Sequence, residues 1–127
     1  MVLYYRGNLP DCDASPLIGV VGTRKASAYG MQTAKRMGYQ IGRCGGIVVS
    51  GMAYGIDGMA MSGALTAGAM TVGVLGCGAD IVYPMSNRAL FRDVEGDVIK
   101  LACLISKYLN KFLADDLALA LRVGNTC

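Results

Sequence analysis

Short apolar runs alternate along the chain with longer segments in which apolar residues return every three or four positions. Leu17-Ile18-Gly19-Val20-Val21, ended by Gly22, is one such run; Ile47-Val48-Val49-Ser50 and Thr71-Val72-Gly73-Val74-Leu75 are two more. Runs of this length without polar alternation predict strands buried on both faces. Between the first two, Met31, Ala34, Met37 (or Gly38) and Ile41 recur at helical spacing and predict a helix from about Ala28 to Arg43. Ser27 stands where an N-cap belongs, and Gly45-Gly46 closes the segment. A second helix is predicted from about Ile56 to Ala67, with Asp57 in its first turn and Gly68 ending it.

The outer parts of the chain continue the pattern. An extended start spans Leu3 to Tyr5, and another extended piece runs from Asp80 to Tyr83. Asn87 is placed to cap a helix from Arg88 to Val94, and Cys103-Leu104-Ile105-Ser106 reads as a last strand. A tail helix is expected from Asn110 to Val123, with Leu113, Leu117, Ala120 and Leu121 on one stripe. Buried strands alternating with helices predict an α/β fold: a Rossmann-like parallel sheet with helices on both faces, in three layers, joined by right-handed crossovers.

Composition narrows the function classes. The 127 residues suit one domain, and 54% hydrophobic against 17% charged residues is enough to bury a core. The 18 glycines have no three-residue period and gather at the ends of apolar runs, as tight strand-to-helix turns require. Five cysteines without a CxxC pair, behind an N-terminus with no long apolar core, suggest reduced thiols in a cytoplasmic protein. No histidine occurs, which removes Ser-His-Asp and Cys-His catalysis and most zinc sites. The uncharged stretch between Asp57 and Asp80 carries Ser62, Thr66 and Thr71 and suits a buried helix, turn and strand better than a membrane span.

The net charge is only +3, but it is unevenly spread. Arg24, Lys25, Lys35, Arg36 and Arg43 fall in a stretch with no acidic residue between Asp13 and Asp57. Either a solvated helix face or an anion-facing surface accounts for them.

Three strands are followed by glycine-bearing loops: Gly22-Thr23-Arg24, Ser50-Gly51-Met52-Ala53-Tyr54-Gly55 and Gly76-Cys77-Gly78. A parallel sheet brings such loops to its carboxyl edge, where open α/β folds bind ligands. Glycine admits an anion close to backbone N–H groups, and helix starts add positive dipole ends. Thr23 and Ser50 offer hydroxyls, Lys25 a further charge, and Arg24 a planar fork suited to phosphate. Asp57 either stabilises its own helix start or pairs with Arg24 and orients it, and Tyr54 is available to stack on a base. The dinucleotide fingerprint and the Walker lysine are absent, so neither NAD nor ATP is expected to bind. No pair of carboxylates stands at hydrolase-like spacing, no metal site is legible, and no reaction centre is expected.

These loops, in this order, resemble the DNA-processing protein A (DprA/Smf) family of bacteria. The likeness begins at Leu3-Tyr4-Tyr5-Arg6-Gly7-Asn8-Leu9 and runs through Val20-Val21-Gly22-Thr23-Arg24-Lys25-Ala26 and Tyr29-Gly30. It continues with Ile47 to Asp57, Gly63-Ala64-Leu65, Val74 to Gly78, Tyr83-Pro84, Asn87 and Leu104-Ile105-Ser106. The resemblance implies a Rossmann-like domain over residues 1–108 that binds single-stranded DNA without cutting it, in natural transformation, and helps load a RecA-type recombinase. It matches Arg24 to an arginine used against the DNA backbone, and Ser50, Gly51, Gly55 and Gly76 to pocket loops. Met61, Met85 and Lys107 stand where the family usually has histidine, a basic residue and glutamate.

Residues 109–127 form a divergent tail, expected to dock on the sheet or on a second subunit and to give a homo-oligomer. The anion or DNA site is therefore expected at Gly22, Thr23, Arg24, Lys25, Ser50, Gly51, Tyr54, Gly55, Asp57, Gly76 and Gly78, with no cofactor. A nucleotide or phosphate-ligand sensor, or a nucleotide N-glycosidic hydrolase, is the alternative on the same scaffold.

Overall fold

A computed structural model of the chain describes residues 4–7, 10–11, 13–76, 84–90 and 98–102. The apolar runs become β2 (Leu17–Gly19), β3 (Ile47–Ser50), β4 (Thr71–Leu75) and β5 (Val98–Ala102), all parallel, with β1 (Tyr4–Arg6) antiparallel to β5. The spatial order is β1-β5-β4-β3-β2. Ile18 sits beside Val48, and Val48 beside Thr71, so these three side chains share a face. β3 is paired on both sides, and all four of its residues are buried.

Helices α1 (Ala28–Arg43) and α2 (Ile56–Thr66) follow β2 and β3. Ser27 caps α1, its Oγ accepting the Gly30 N–H at 3.1 Å. Both helices end in the same hydrogen-bonded device, in which a left-handed glycine reverses the chain. Gly46 N–H reaches the Ile41 carbonyl past Gly45 (φ +79), and Ala69 N–H reaches the Ala64 carbonyl past Gly68 (φ +74).

Because strand order follows chain order from β2 to β5, right-handed crossovers put α1 and α2 on one face of the sheet, side by side. They approach almost backbone to backbone. A Cβ at Gly38 would collide with the Ala60 carbonyl, and one at Gly63 with the Lys35 carbonyl. Gly38 is the residue on the buried stripe, and Met37 points outward at 55% exposure. Beneath the pair lies the core: Val20, Ala34, Val48, Met52, Ala60, Met61, Ala64 and Leu75. Ile47 and Val49, on the opposite face, are also buried. Thr71 is fully buried in the sheet with its hydroxyl unpaired.

Three expectations change. A strand that was not expected runs over Val98–Ala102, and the expected strand Cys103–Ser106 lies outside the described residues. Pairing on both sides, to β4 and to β1, defines β5 more strongly than its apolarity, which Lys100 interrupts. Second, the sheet is mixed: β1 occupies the outer edge of β5, so that edge does not depend on the tail for cover. Third, β2 ends at Gly19, although the Val20 N–H still reaches the Val49 carbonyl at 2.8 Å. Asp80–Tyr83, the tail helix and the second domain segment 109–127 lie outside the described residues, as does most of the helix expected after Asn87. Among the described residues, no helix is long and apolar enough to cross a membrane.

Candidate functional site

At the carboxyl edge the loops after β2 and β3 are fastened to each other. The Gly22 N–H donates to Asp57 Oδ1 at 3.0 Å, and the Ile56 N–H to the Thr23 carbonyl at 3.3 Å. The fit requires glycine in two places. A Cβ on Gly22 would strike Ile56 Cβ at 2.6 Å, while Gly55, at φ +80, has its bare Cα against the Thr23 carbonyl. Asp57 is 6% exposed at the start of α2, where the helix dipole also favours its charge.

The loop after β3 is held from the other side. Met52 is fully buried at φ +57, a left-handed conformation costly for a residue with a side chain. The Asn87 side-chain amide donates to the Met52 carbonyl at 2.9 Å and to the Ala53 carbonyl at 3.3 Å, and the Gly58 N–H reaches Ala53 as well at 3.1 Å. Asn87 ends the 3₁₀ turn Met85–Asn87, so this turn clamps the loop.

Between the loops opens a cleft of about 310 Å³ lined by Arg24, Gly51, Ala53, Tyr54, Leu75, Gly76 and Pro84. Four expected residues meet there: Arg24, Gly51, Tyr54 and Gly76. Ala53, Leu75 and Pro84 complete it; nothing in their types marked them beforehand. Gly22, Thr23, Gly55 and Asp57 make up the fastened junction rather than the lining. Lys25 is exposed outside the lining, its N–H donating to Thr23 Oγ1 at 3.2 Å. Gly78 lies outside the described residues.

Three roles are corrected and one is extended. Ser50 offers no hydroxyl to a ligand, because it is 2% exposed and its Oγ donates to the Val20 carbonyl at 2.7 Å. Gly22 has its N–H committed to Asp57 and cannot also cradle an anion. Asp57 does not pair with Arg24: its carboxylate is turned to the Gly22 amide, and no ion pair joins the two among the described residues. Asn87 takes a role beyond the expected cap: its side-chain NH2 donates to the Met52 and Ala53 carbonyls and clamps that loop, and most of the helix it was expected to cap lies outside the described residues.

What remains for a ligand is an exposed guanidinium beside a phenol ring, over a floor kept low by Gly51 and Gly76. The Asp57 carboxylate at this edge is buried and already bonded. Such a cleft attracts an anion and gives it a planar partner. Among the described residues, no three acidic or cysteine side chains converge as a metal site would need.

Comparison with known proteins gives a consistent result. Residues 1–120 match the family described as DNA recombination-mediator protein A. Protein Smf of Synechocystis sp. is 36% identical over 99 residues, covering 76% of this chain and 25% of that protein. DNA processing protein DprA of Bacillus subtilis is 38% identical over 89 residues, covering 70% of this chain and 30% of that one. The chain therefore spans between a quarter and a third of these relatives. Two solved structures share its fold over 79% of its length. DNA processing protein A of Streptococcus pneumoniae superposes with a TM-score of 0.70 at 35% identity, over 35% of that chain. That of Helicobacter pylori, described for its unique single-stranded DNA binding mode, gives 0.71 at 26% identity over 45% of its chain.

Proposed function

We propose that this chain, which belongs to the DNA recombination-mediator protein A family, binds single-stranded DNA by its sugar-phosphate backbone at the carboxyl-edge cleft and does no covalent chemistry on it. One observation carries the reading. Arg24 stands exposed on the cleft and, among the described residues, no carboxylate pairs with it, Asp57 being turned to the Gly22 amide. A backbone phosphate is the anion such a rim can reach on any sequence, and Tyr54, 49% exposed, offers a stacking face to whichever base follows. The single-strand binding described for the Helicobacter pylori relative supports the same ligand. Recombinase loading, a role in natural transformation, a cytoplasmic location and self-association belong to this reading as proposals.

The cleft volume, near the lower end for small-ligand pockets, favours one second reading, a sensor of free nucleotides. Anisotropy of a labelled oligothymidylate, titrated with the chain at rising salt, separates the two. Binding should weaken steeply, with about 0.7 counterion released per phosphate engaged on a single strand. Duplex and free nucleotides should compete poorly. Tight, salt-insensitive binding of a mononucleotide would replace the DNA reading with the sensor. Release of free base during the incubation would point instead to N-glycosidic hydrolysis.

A further inference from the structure

The outward face of α1 is unusual in what it lacks. Its buried side is made by Ala34 and Gly38, with Met31 and Ile41 half-buried beside them. Directly opposite, Tyr29, Arg36 and Arg43 recur every seven residues and so fall on one line along the helix, two turns apart. Gln32, Tyr39 and Gln40 flank that line, and all six side chains are exposed, Tyr29 at 79%. No acidic residue occurs in α1 or anywhere between Asp13 and Asp57. A helix face that merely stays in water normally interleaves both signs of charge. Among the described residues, neither Arg36 nor Arg43 has an ion-pair partner. Arg43 stands in the last turn, where a cation complements the helix dipole, but that explains neither Arg36 nor Tyr29.

We infer that this line is a track for single-stranded DNA continuing from the cleft: phosphates on Arg36 and Arg43, a base stacked on Tyr29. The inference rests on the reading of the cleft as a DNA site. α1 begins a few residues after Arg24 and Lys25, at the carboxyl edge, and runs back toward the amino edge, so the track leads away from the cleft with no acidic residue of its own along it. From Tyr29 to Arg43 it measures about 21 Å at the α-helical rise. Cations in line with an aromatic face and neutral hydrogen-bonding side chains are what a strand needs for backbone capture and sequence-tolerant stacking. A rigid duplex could meet the arginines but would present no free base to Tyr29.

The test uses the full chain and labelled oligothymidylates of about 4 and about 16 nucleotides, the range of single-fold site sizes. The double variant Arg36→Gln/Arg43→Gln should lose about tenfold or more for the long oligonucleotide and keep its affinity for the short one. Its salt slope on the long one should fall by about 1.4, two phosphates at about 0.7 each. Tyr29→Ala should weaken the long complex without changing that slope. Circular dichroism checks that each exposed-face variant keeps its helix. If the long-oligonucleotide affinity and slope are unchanged in the double variant while Arg24→Ala weakens both lengths, the track is wrong and the cleft reading stands. If duplex of equal length binds as well as the single strand, the face is a general polyanion surface and the inference falls. Wild-type chain that binds neither length overturns the cleft reading along with the track.

Discussion

Individual residues near the cleft divide by how their polar groups are spent. Thr23 gives its carbonyl to the Ile56 N–H and its hydroxyl accepts from the Lys25 N–H, whereas the Arg24 guanidinium has no partner among the described residues. Arg24→Ala should therefore cost about 1–3 kcal/mol of oligonucleotide affinity, the range for a charge-assisted contact, and leave the melting temperature unchanged. Lower stability with unaltered affinity would make Arg24 a structural residue and move the anion site elsewhere. Asn87 predicts the reverse split. Its amide holds two carbonyls of a loop that contains a left-handed Met52; Asn87→Leu takes this donor from the Met52 carbonyl and leaves Ala53 with the Gly58 N–H alone. A loss of about 1–3 kcal/mol in thermal or denaturant unfolding is expected, with weaker DNA binding following from a looser loop. These assignments were the least legible part of the sequence. Ser50, Gly22 and Asn87 each bond a partner 30 or more positions away, and residue type alone does not identify that partner.

At the scale of elements, the pattern was readable wherever local rules and packing agree. α1 has the expected limits because Ser27 and Gly45 mark its ends independently of any contact, and β3 and β4 have theirs because apolar runs stop at small residues. Strand β5 was not foreseen because its place is fixed by pairing with β4 and β1, a non-local fact. Which of Met37 and Gly38 faces inward was equally hidden, since only the neighbouring helix demands the absence of a side chain. That demand is measurable. Gly38→Ala forces a methyl into the Ala60 carbonyl and should destabilise by about 1–3 kcal/mol, as overpacking does. Gly30→Ala, in the same helix but with ordinary van der Waals room, should stabilise by up to about 1 kcal/mol through helix propensity. Equal effects at the two positions would mean that the helices separate at little cost.

For the molecule as a whole, strand order sets where it is firm. β3 is paired on both sides and buried throughout, while β2 is an edge of only three residues. Native-state hydrogen exchange should therefore be slowest at the amides of Ile47–Ser50 and faster in Leu17–Gly19. Protection of β2 equal to that of β3, lost on dilution, would show that a second copy covers this edge. The fold class was legible at this scale because it depends on the succession of buried strands and helices, which no single misplaced boundary disturbs.

The fastening of the two carboxyl-edge loops has a mechanical consequence. A strand held at Arg24 and pulled from outside transmits its load first to the Gly22–Asp57 and Thr23–Ile56 bonds, which deliver it to the start of α2. From there the glycine contacts pass it to α1, because neither helix can slide past a carbonyl seated against a bare Cα. Tension on the ligand is thus shared by two helices and the central strands between which they are connected, rather than borne by one surface loop.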